Sequence, residues 1–215
     1  MTTSRARGPN RIAAIIPVGT LEGAKTRLGE TLDAEERQDL TERLLAGTLS
    51  AVLAVERLAD VLVISPDPDV IRLAATLGAR TLRQRTGGLN AGLTEARVDV
   101  VAGGADALLV LPIDLAFVSA EAVARVLEPL ERGDPSPIVV LVPDRHGTGT
   151  NALAMSPPGV IEFAFGPDSR RAHHGAAGAA GAAYVEVDGP LAVDIDTPAD
   201  LILVESMAPE RIGAG

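Results

Sequence analysis

The chain is 215 residues long, which suits one α/β domain around a single core and is short for two. Hydrophobic residues make up 47% and charged residues 22%, yet only Phe117, Phe163, Phe165 and Tyr184 are aromatic. The core must therefore be built from Ala, Val, Leu and Ile, and the stacking platforms of single-strand nucleic-acid binders are missing. A net charge of −10 leaves no general basic face for a phosphate backbone, and the absence of cysteine excludes disulfides, thiolate zinc sites and cysteine nucleophiles together.

Residues 1–11 read as a flexible basic tail that leads into a buried strand, Ile12 to Val18. Pro17 and Gly19 cut this apolar run too early for a signal peptide, and Glu22, Lys25 and Arg27 stand where a small-residue cleavage site should be. No stretch approaches the ~20 apolar residues of a membrane helix. A cytoplasmic protein without membrane or nucleic-acid partners is the expectation.

After a polar loop to about Thr31, Asp33 and Glu36 form a capping-box pattern, and Leu40, Leu44, Leu45, Leu49 and Val52 recur at helical spacing. Val61 to Ser65 follows as a strand. Asp67-Pro68 then opens a helix that turns Val70, Ile71, Ala74 and Leu77 inward and ends at Gly78. Ala79 to Leu82 is a weak strand, Leu89 to Ala102 a helix, and Ala107 to Ile113 a strand buried on both faces. Ser119 caps a helix to about Leu130. Pro137 to Val142 and Asn151 to Met155 are further strands, Asp168 to Ala180 a helix, and Tyr184 to Val187 an outer strand. Thr197-Pro198 opens the last helix. Repeated strand–helix–strand units predict a doubly wound, mostly parallel sheet over residues 12–206, followed by a tail at 207–215, with ligands at the carboxyl ends of the strands.

Three groups of residues in the loops after strands carry chemical promise. Of the 19 Lys and Arg residues only Lys25 is lysine, and it lies in Pro17-Val-Gly-Thr-Leu-Glu-Gly-Ala-Lys-Thr-Arg-Leu28, a loop suited to a polyphosphate through backbone N–H groups and point charges. Gly19, Gly23 and Lys25-Thr26 nearly form a P-loop, but Ala24 separates glycine from lysine and the helix begins too late. No G-x-G-x-x-G follows the first strand, and no G-x-S-x-G supports a serine nucleophile. The second group is Asp114, beyond the buried strand, with Asp194-Ile-Asp196, whose carboxylates share one face if the segment is extended. Asp196 also reads as part of the cap of the last helix, with Asp200 as its third-position acid. Asp114 and Asp194 with magnesium between them fit the oxygen ligation of a nucleotide–metal site. The third group runs from Asp144 to Ser169. Gly147-Thr-Gly-Thr150 is a small-residue loop, and Phe165-Gly-Pro-Asp-Ser169 opens a helix whose free N–H groups suit an anion. Asp168 reads as a helix cap or a group facing the metal, and His173 and His174 as helical histidines of the kind commonly exposed.

Ile16-Pro-Val18, Ala24-Lys-Thr-Arg-Leu28, Gly88-Leu-Asn90, Asp114, Asp144 to Thr150, Phe165-Gly-Pro-Asp-Ser169 and Asp194-Ile-Asp-Thr-Pro-Ala-Asp200 together resemble the 2-phospho-L-lactate or phosphoenolpyruvate guanylyltransferases of coenzyme F420 biosynthesis. The similarity covers about residues 12–206, and the narrow signature is G-T-G-T followed by F-G-P-D-S. It implies a single-domain, Rossmann-like, GT-A-type nucleotidyltransferase in which the phosphate of phosphoenolpyruvate or 2-phospholactate attacks the α-phosphorus of GTP and expels pyrophosphate. By the same resemblance Lys25 and the backbone of Pro17, Val18, Gly19 and Gly23 bind the triphosphate, with Gly88 and Asn90 at the nucleoside. Asp114 and Asp194, with Asp196 as a further candidate, hold Mg²⁺, and Thr150, Gly166 and Ser169 bind the acceptor phosphate. A homodimer and coupling to the next enzyme of the pathway complete these expectations. Gly19 stands where many members have lysine, and Leu115-Ala116 where many have Leu-Pro. Two other readings stay open at this level: another nucleotidyltransferase of the same fold, cytidylyl- or molybdenum-cofactor guanylyl-transferring, and a noncatalytic nucleotide-binding regulatory domain.

Overall fold

The computed structural model describes residues 11–21, 28–29, 31–131 and 137–207. Gly23 and Lys25 lie outside the described residues, as does nearly all of both expected tails, 1–11 and 207–215. Strands β1 (Ile12–Pro17), β2 (Leu58–Ser65), β3 (Arg80–Arg83), β4 (Ala107–Val110), β5 (Ile138–Pro143), β6 (Thr150–Ser156) and β7 (Ala183–Glu186) form one seven-stranded sheet in the order β3-β2-β1-β4-β6-β5-β7. Pairings β1–β2, β1–β4, β2–β3 and β5–β7 are parallel, so the sheet is mostly parallel as the alternating pattern predicts. β6 is the departure, antiparallel to both β4 and β5. The reason is connection length: the loop 144–149 between β5 and β6 is too short for the crossover of a dozen or more residues that a parallel pair needs.

Helices α1 (Ala34–Leu53), α2 (Pro68–Thr76) and α4 (Ala120–Glu131) cover one face, and α3 (Leu89–Ala102) and α5 (Ser169–Ala179) the other. The division follows the strand period of two. Ile12, Ala14 and Ile16 of β1 join the core beneath α1, α2 and α4, while Ala13 and Ile15 join Leu93, Ala96 and Val100 of α3. Helix starts obey local chemistry. At α1 the Glu36 N–H donates to Asp33 Oδ1 at 2.9 Å and the Asp33 N–H donates to Glu36 Oε2 at 2.7 Å, closing the expected capping box.

Two strand expectations near the site are corrected. β4 stops at Val110 rather than Ile113: the Leu111 N–H still reaches Ile15 O at 3.1 Å, but Pro112 has no N–H to continue the ladder, and Asp114 falls in a turn. The segment Asp194-Ile195-Asp196 is not a strand either. A 3₁₀ turn at Pro190–Ala192 precedes it and α6 (Pro198–Met207) follows, which leaves room for a single antiparallel bridge between Leu115 and Asp194. That bridge sits beside the junction of β1 and β4, where the chain order turns from one side of the sheet to the other and open α/β sheets present their crevice.

Leu109, wholly buried in β4, is part of the packing beneath this crevice. Leu109→Ala should cost about 2–5 kcal/mol of unfolding free energy, read by urea denaturation; a loss under about 1 kcal/mol would contradict tight packing there.

Candidate active site

The first wall of the site is the loop that leaves β1. The Val18 N–H donates to Ile64 O at 2.9 Å, the Ser65 hydroxyl donates to Gly19 O at 3.3 Å, and the Leu21 N–H donates to Asp67 Oδ2 at 3.0 Å. Asp67 also caps α2 through its other oxygen, which accepts from the Asp69 N–H at 2.8 Å. Partial burial would raise this carboxyl, but the N–H donors of Leu21, Asp69 and Val70 prevail and hold it below the ordinary range. The sequence marked Asp67 only as a cap; here it also fixes the loop that follows Pro17-Val18-Gly19. A Cβ at Gly19 would meet no described atom within 4 Å.

Asp114 and Asp194 come together from separate segments. Leu115 bridges Asp194, the Ile195 N–H donates to Asp114 O at 2.9 Å, and the Ala116 N–H donates to Val193 O at 2.9 Å. Burial, then the charges of Asp114 and Asp196, push the Asp194 carboxyl above its ordinary range, against a hydrogen bond from the Asn151 side chain. Asn151, which the sequence did not single out, is itself held by donating to Leu191 O at 3.0 Å. Among the described residues no group of three or more His, Cys, Asp or Glu side chains is arranged as a closed metal site. A two-carboxylate set is nevertheless what Mg²⁺ takes when waters and substrate phosphates complete its shell, and the mutual repulsion at Asp194 is what a divalent cation would relieve. Asp196 is near this pair, since its charge adds to the rise at Asp194, and its N–H donates to Asp200 Oδ2 at 3.0 Å. Capping of α6 falls to Asp200, which also accepts from the Thr197 N–H at 2.6 Å and from its hydroxyl at 2.9 Å and pairs with Arg145.

On the opposite face Gly88 holds a positive φ of 85° as the residue before α3, a conformation in which a Cβ would be strained. Asn90 is turned to the chain rather than to open solvent: its Nδ2 donates to Phe165 O at 3.0 Å and its Oδ1 accepts from the Phe165 N–H at 2.9 Å. One carboxamide thereby clamps the backbone next to Gly166. Arg97, two turns further along α3, supports the same segment by donating to Ile161 O at 3.1 Å and lying over the Phe163 ring.

Thr150, Ser169 and Gly166 are brought together as expected partners. The Ser169 and Thr150 hydroxyl oxygens are 3.0 Å apart, and the Ser169 N–H donates to Gly166 O at 3.2 Å. Gly166 has a φ of 133°, available in practice to glycine alone. The helix start differs from expectation in two ways. Asp168 has a left-handed backbone and its side chain makes no capping bond, while the Arg170 N–H donates to Thr148 O at 3.1 Å and its Nη1 to Gly147 O at 2.9 Å. Two of the first amides of α5 are thus committed within the chain, and the hydroxyls of Thr150 and Ser169 stand together near Gly166. His173, expected among exposed helical histidines, is wholly buried instead: Thr150 Oγ1 lies 3.1 Å from its Nδ1, and the Ala164 N–H donates to its Nε2 at 3.0 Å. Only its i+4 distance from Ser169 on the helix hinted at this. His174 is exposed and packs against Tyr184, with ring centres 4.6 Å apart and planes tilted by 47°.

Two curated relatives, both called phosphoenolpyruvate guanylyltransferase, match nearly end to end. The protein of Rubrobacter xylanophilus is 42% identical over 91% of this chain and 94% of its own length, and that of Sphaerobacter thermophilus is 42% identical over 91% and 93%. The fold is shared with the crystal structure of 4-diphosphocytidyl-2C-methyl-D-erythritol synthase from Anaerococcus prevotii, at a TM-score of 0.62 and 14% identity, covering 93% of this chain and 99% of that one. A family model described as "Guanylyl transferase CofC like" matches residues 12–207, the whole of the sheet and its helices, and the chain belongs to that family.

Proposed function

We propose that this protein transfers GMP from GTP to phosphoenolpyruvate, releasing pyrophosphate, as a step of coenzyme F420 biosynthesis, with 2-phospholactate as the closest alternative acceptor. The observation that carries the reading is the carboxylate pair Asp114 and Asp194, held within mutual electrostatic reach beside the crevice of a guanylyltransferase-family chain. One oxygen of the acceptor phosphate forms the new bond to the α-phosphorus of GTP while the bond from that phosphorus to the β-phosphate bridging oxygen breaks in line. Because the attacking phosphate is already ionised at neutral pH, positioning and charge neutralisation are needed more than a general base.

In this reading the backbone of Pro17, Val18, Gly19 and Gly23 and the ammonium of Lys25 hold the triphosphate, while Gly88 and Asn90 border the nucleoside. Thr150, Gly166 and Ser169 take the acceptor phosphate. Asp114 and Asp194, with Asp196 beside them, would hold Mg²⁺, which when bound offsets charge on the triphosphate and the transferring phosphorus. The chain's own task is to keep these two carboxylates together without the ion, and the Leu115–Asp194 bridge supports that task.

Pyrophosphate release, measured with GTP, ATP and CTP against phosphoenolpyruvate and 2-phospholactate, should be fastest for GTP with phosphoenolpyruvate and should stop on chelation of divalent ions. Nucleotide binding with no pyrophosphate from any pair would favour a noncatalytic domain, and a clear preference for CTP would assign a different transfer. Asp114→Asn and Asp194→Asn should each lower turnover by at least about a hundredfold. Removing one of two like charges should leave the melting temperature unchanged or higher, so turnover near that of the unaltered protein would contradict the metal assignment. Lys25→Ala should raise the KM for GTP by about tenfold while the KM for the acceptor stays nearly constant. Equal effects on both substrates would argue against a triphosphate contact.

A further inference from the structure

The hydrogen bonds around His173 determine where its ring hydrogen resides. A main-chain N–H can only donate, and that of Ala164 meets Nε2 at 3.0 Å, so Nε2 carries a lone pair and the ring hydrogen of the neutral imidazole sits on Nδ1. From there it donates to Thr150 Oγ1 at 3.1 Å. Burial works in the same direction by pushing the His173 pKa down to about 4, and the Phe165 ring, edge-on at 5.1 Å, holds the imidazole in place.

Counting hydrogens gives the consequence. Thr150 and Ser169, both buried, own one hydroxyl hydrogen each, and the 3.0 Å contact between their oxygens uses one of the two. Since His173 donates rather than accepts, it takes neither hydroxyl hydrogen. Among the described residues no other acceptor meets the pair, and one hydrogen remains for an oxygen of a ligand. In the opposite tautomer Nδ1 would accept the Thr150 hydrogen, Thr150 would accept that of Ser169, and none would remain. The Ala164 N–H would then also be left facing another N–H. The amides of Ser169 and Arg170 cannot replace the missing donor, because they are committed to Gly166 O and Thr148 O.

We propose that His173 is a positioning residue: by donating through Nδ1 to Thr150 it makes the Thr150–Ser169 hydroxyl pair a net hydrogen-bond donor, set to receive an anionic oxygen of the acceptor phosphate. The inference rests on the guanylyltransferase reading for the identity of the anion, though not for the direction of the hydrogen bonds. His173 reaches the substrate only through Thr150. Its effect therefore belongs to acceptor binding and not to the nucleotide.

Two measurements on the full chain test this. Nitrogen-15 NMR of the unaltered protein should show Nδ1 protonated and Nε2 unprotonated at neutral pH; the reverse tautomer, or an imidazolium, would overturn the proposal whatever the substrate. In kinetics, His173→Phe keeps the ring volume and removes both bonds, and should raise the KM for phosphoenolpyruvate ten- to a hundredfold, on the order of one lost hydrogen bond to an anion, with the KM for GTP nearly unchanged. His173→Asn, which retains an N–H directed at Thr150, should recover most of the loss. The double variant His173→Phe, Thr150→Val should be no worse than Thr150→Val alone, because the first residue acts through the second. Equal rises in both KM values, additive losses in the double variant, or failure of His173→Asn to recover acceptor binding while folded would assign His173 a merely structural role. Should His173→Phe not fold, the NMR tautomer and His173→Asn still decide. An unaltered protein that releases no pyrophosphate from GTP and phosphoenolpyruvate would instead overturn the functional reading, leaving the tautomer result to stand separately.

Discussion

Two carboxylates of like charge, partly withdrawn from water, separate unless the backbones that carry them are fixed, and Asp114 and Asp194 are fixed on both sides. The turn bearing Asp114 and the segment bearing Asp194 exchange main-chain hydrogen bonds at 2.9 Å. Behind them Leu28, Leu40, Ala116, Ile195, Leu201 and Val204 form a small apolar core of their own, separate from the two large ones against the sheet. Beyond Asp196, Asp200 gathers the N–H groups of Asp196 and Thr197 together with Arg145. Burial alone would raise the Asp200 carboxyl, yet these donors hold it below the ordinary range, so it stays charged and keeps the start of α6 in place. The arrangement that brings Asp194 beside Asp114 thus rests on apolar packing and an anchored helix start.

The second half of the site is arranged from the other face of the sheet. α3 sends Asn90 and Arg97 to the segment 161–166, α5 sends His173, and the loop 144–149 is fastened to α5 by Arg170. A Cβ at Gly149 would lie 2.8 Å from Asp144 Oδ2, so the Asp144 carboxylate would have to move to admit one. With their main functions engaged in holding loops, these polar side chains act as fixed framework, and the hydroxyls of Thr150 and Ser169 are what they frame.

Sequence was most informative at helix ends whose chemistry is local. The capping box of Asp33 and Glu36, the Asp67-Pro68 start, the Gly78 stop and the helix over Leu89–Ala102 all depend on residues within a few positions of one another, and each is found in place. The direction of β6 depends on which strands it pairs with, a non-local matter that alternation in sequence does not reveal. The same limit explains the misjudged histidine. His173 read as an exposed helical side chain because its partner Ala164 belongs to an irregular segment whose path is set by tertiary packing, the segment that Asn90 also clamps at Phe165. The pairing of Asp114 with Asp194 was legible only as two carboxylates at candidate strand ends. That both lie in irregular connections follows from Pro112 and from the short span between Pro190 and Pro198.

The antiparallel course of β6 has a bearing on how such a protein can vary. Thr150 and Asn151 are adjacent, so their side chains leave opposite faces of the sheet: one meets His173 and Ser169, the other Leu191 and the neighbourhood of Asp194. A slip of β6 by one residue against β5 would exchange the two faces and take both halves of the site apart in a single event. Insertions in the loop 144–149 are therefore tolerable only when the added chain bulges outward and leaves the register untouched. The register shift already present between Val142 and Pro143 is the kind of place where such additions can be absorbed. Length variation in this hairpin should therefore be limited by register, a constraint that acts on the spacing of the chain and not on the chemistry of any one residue.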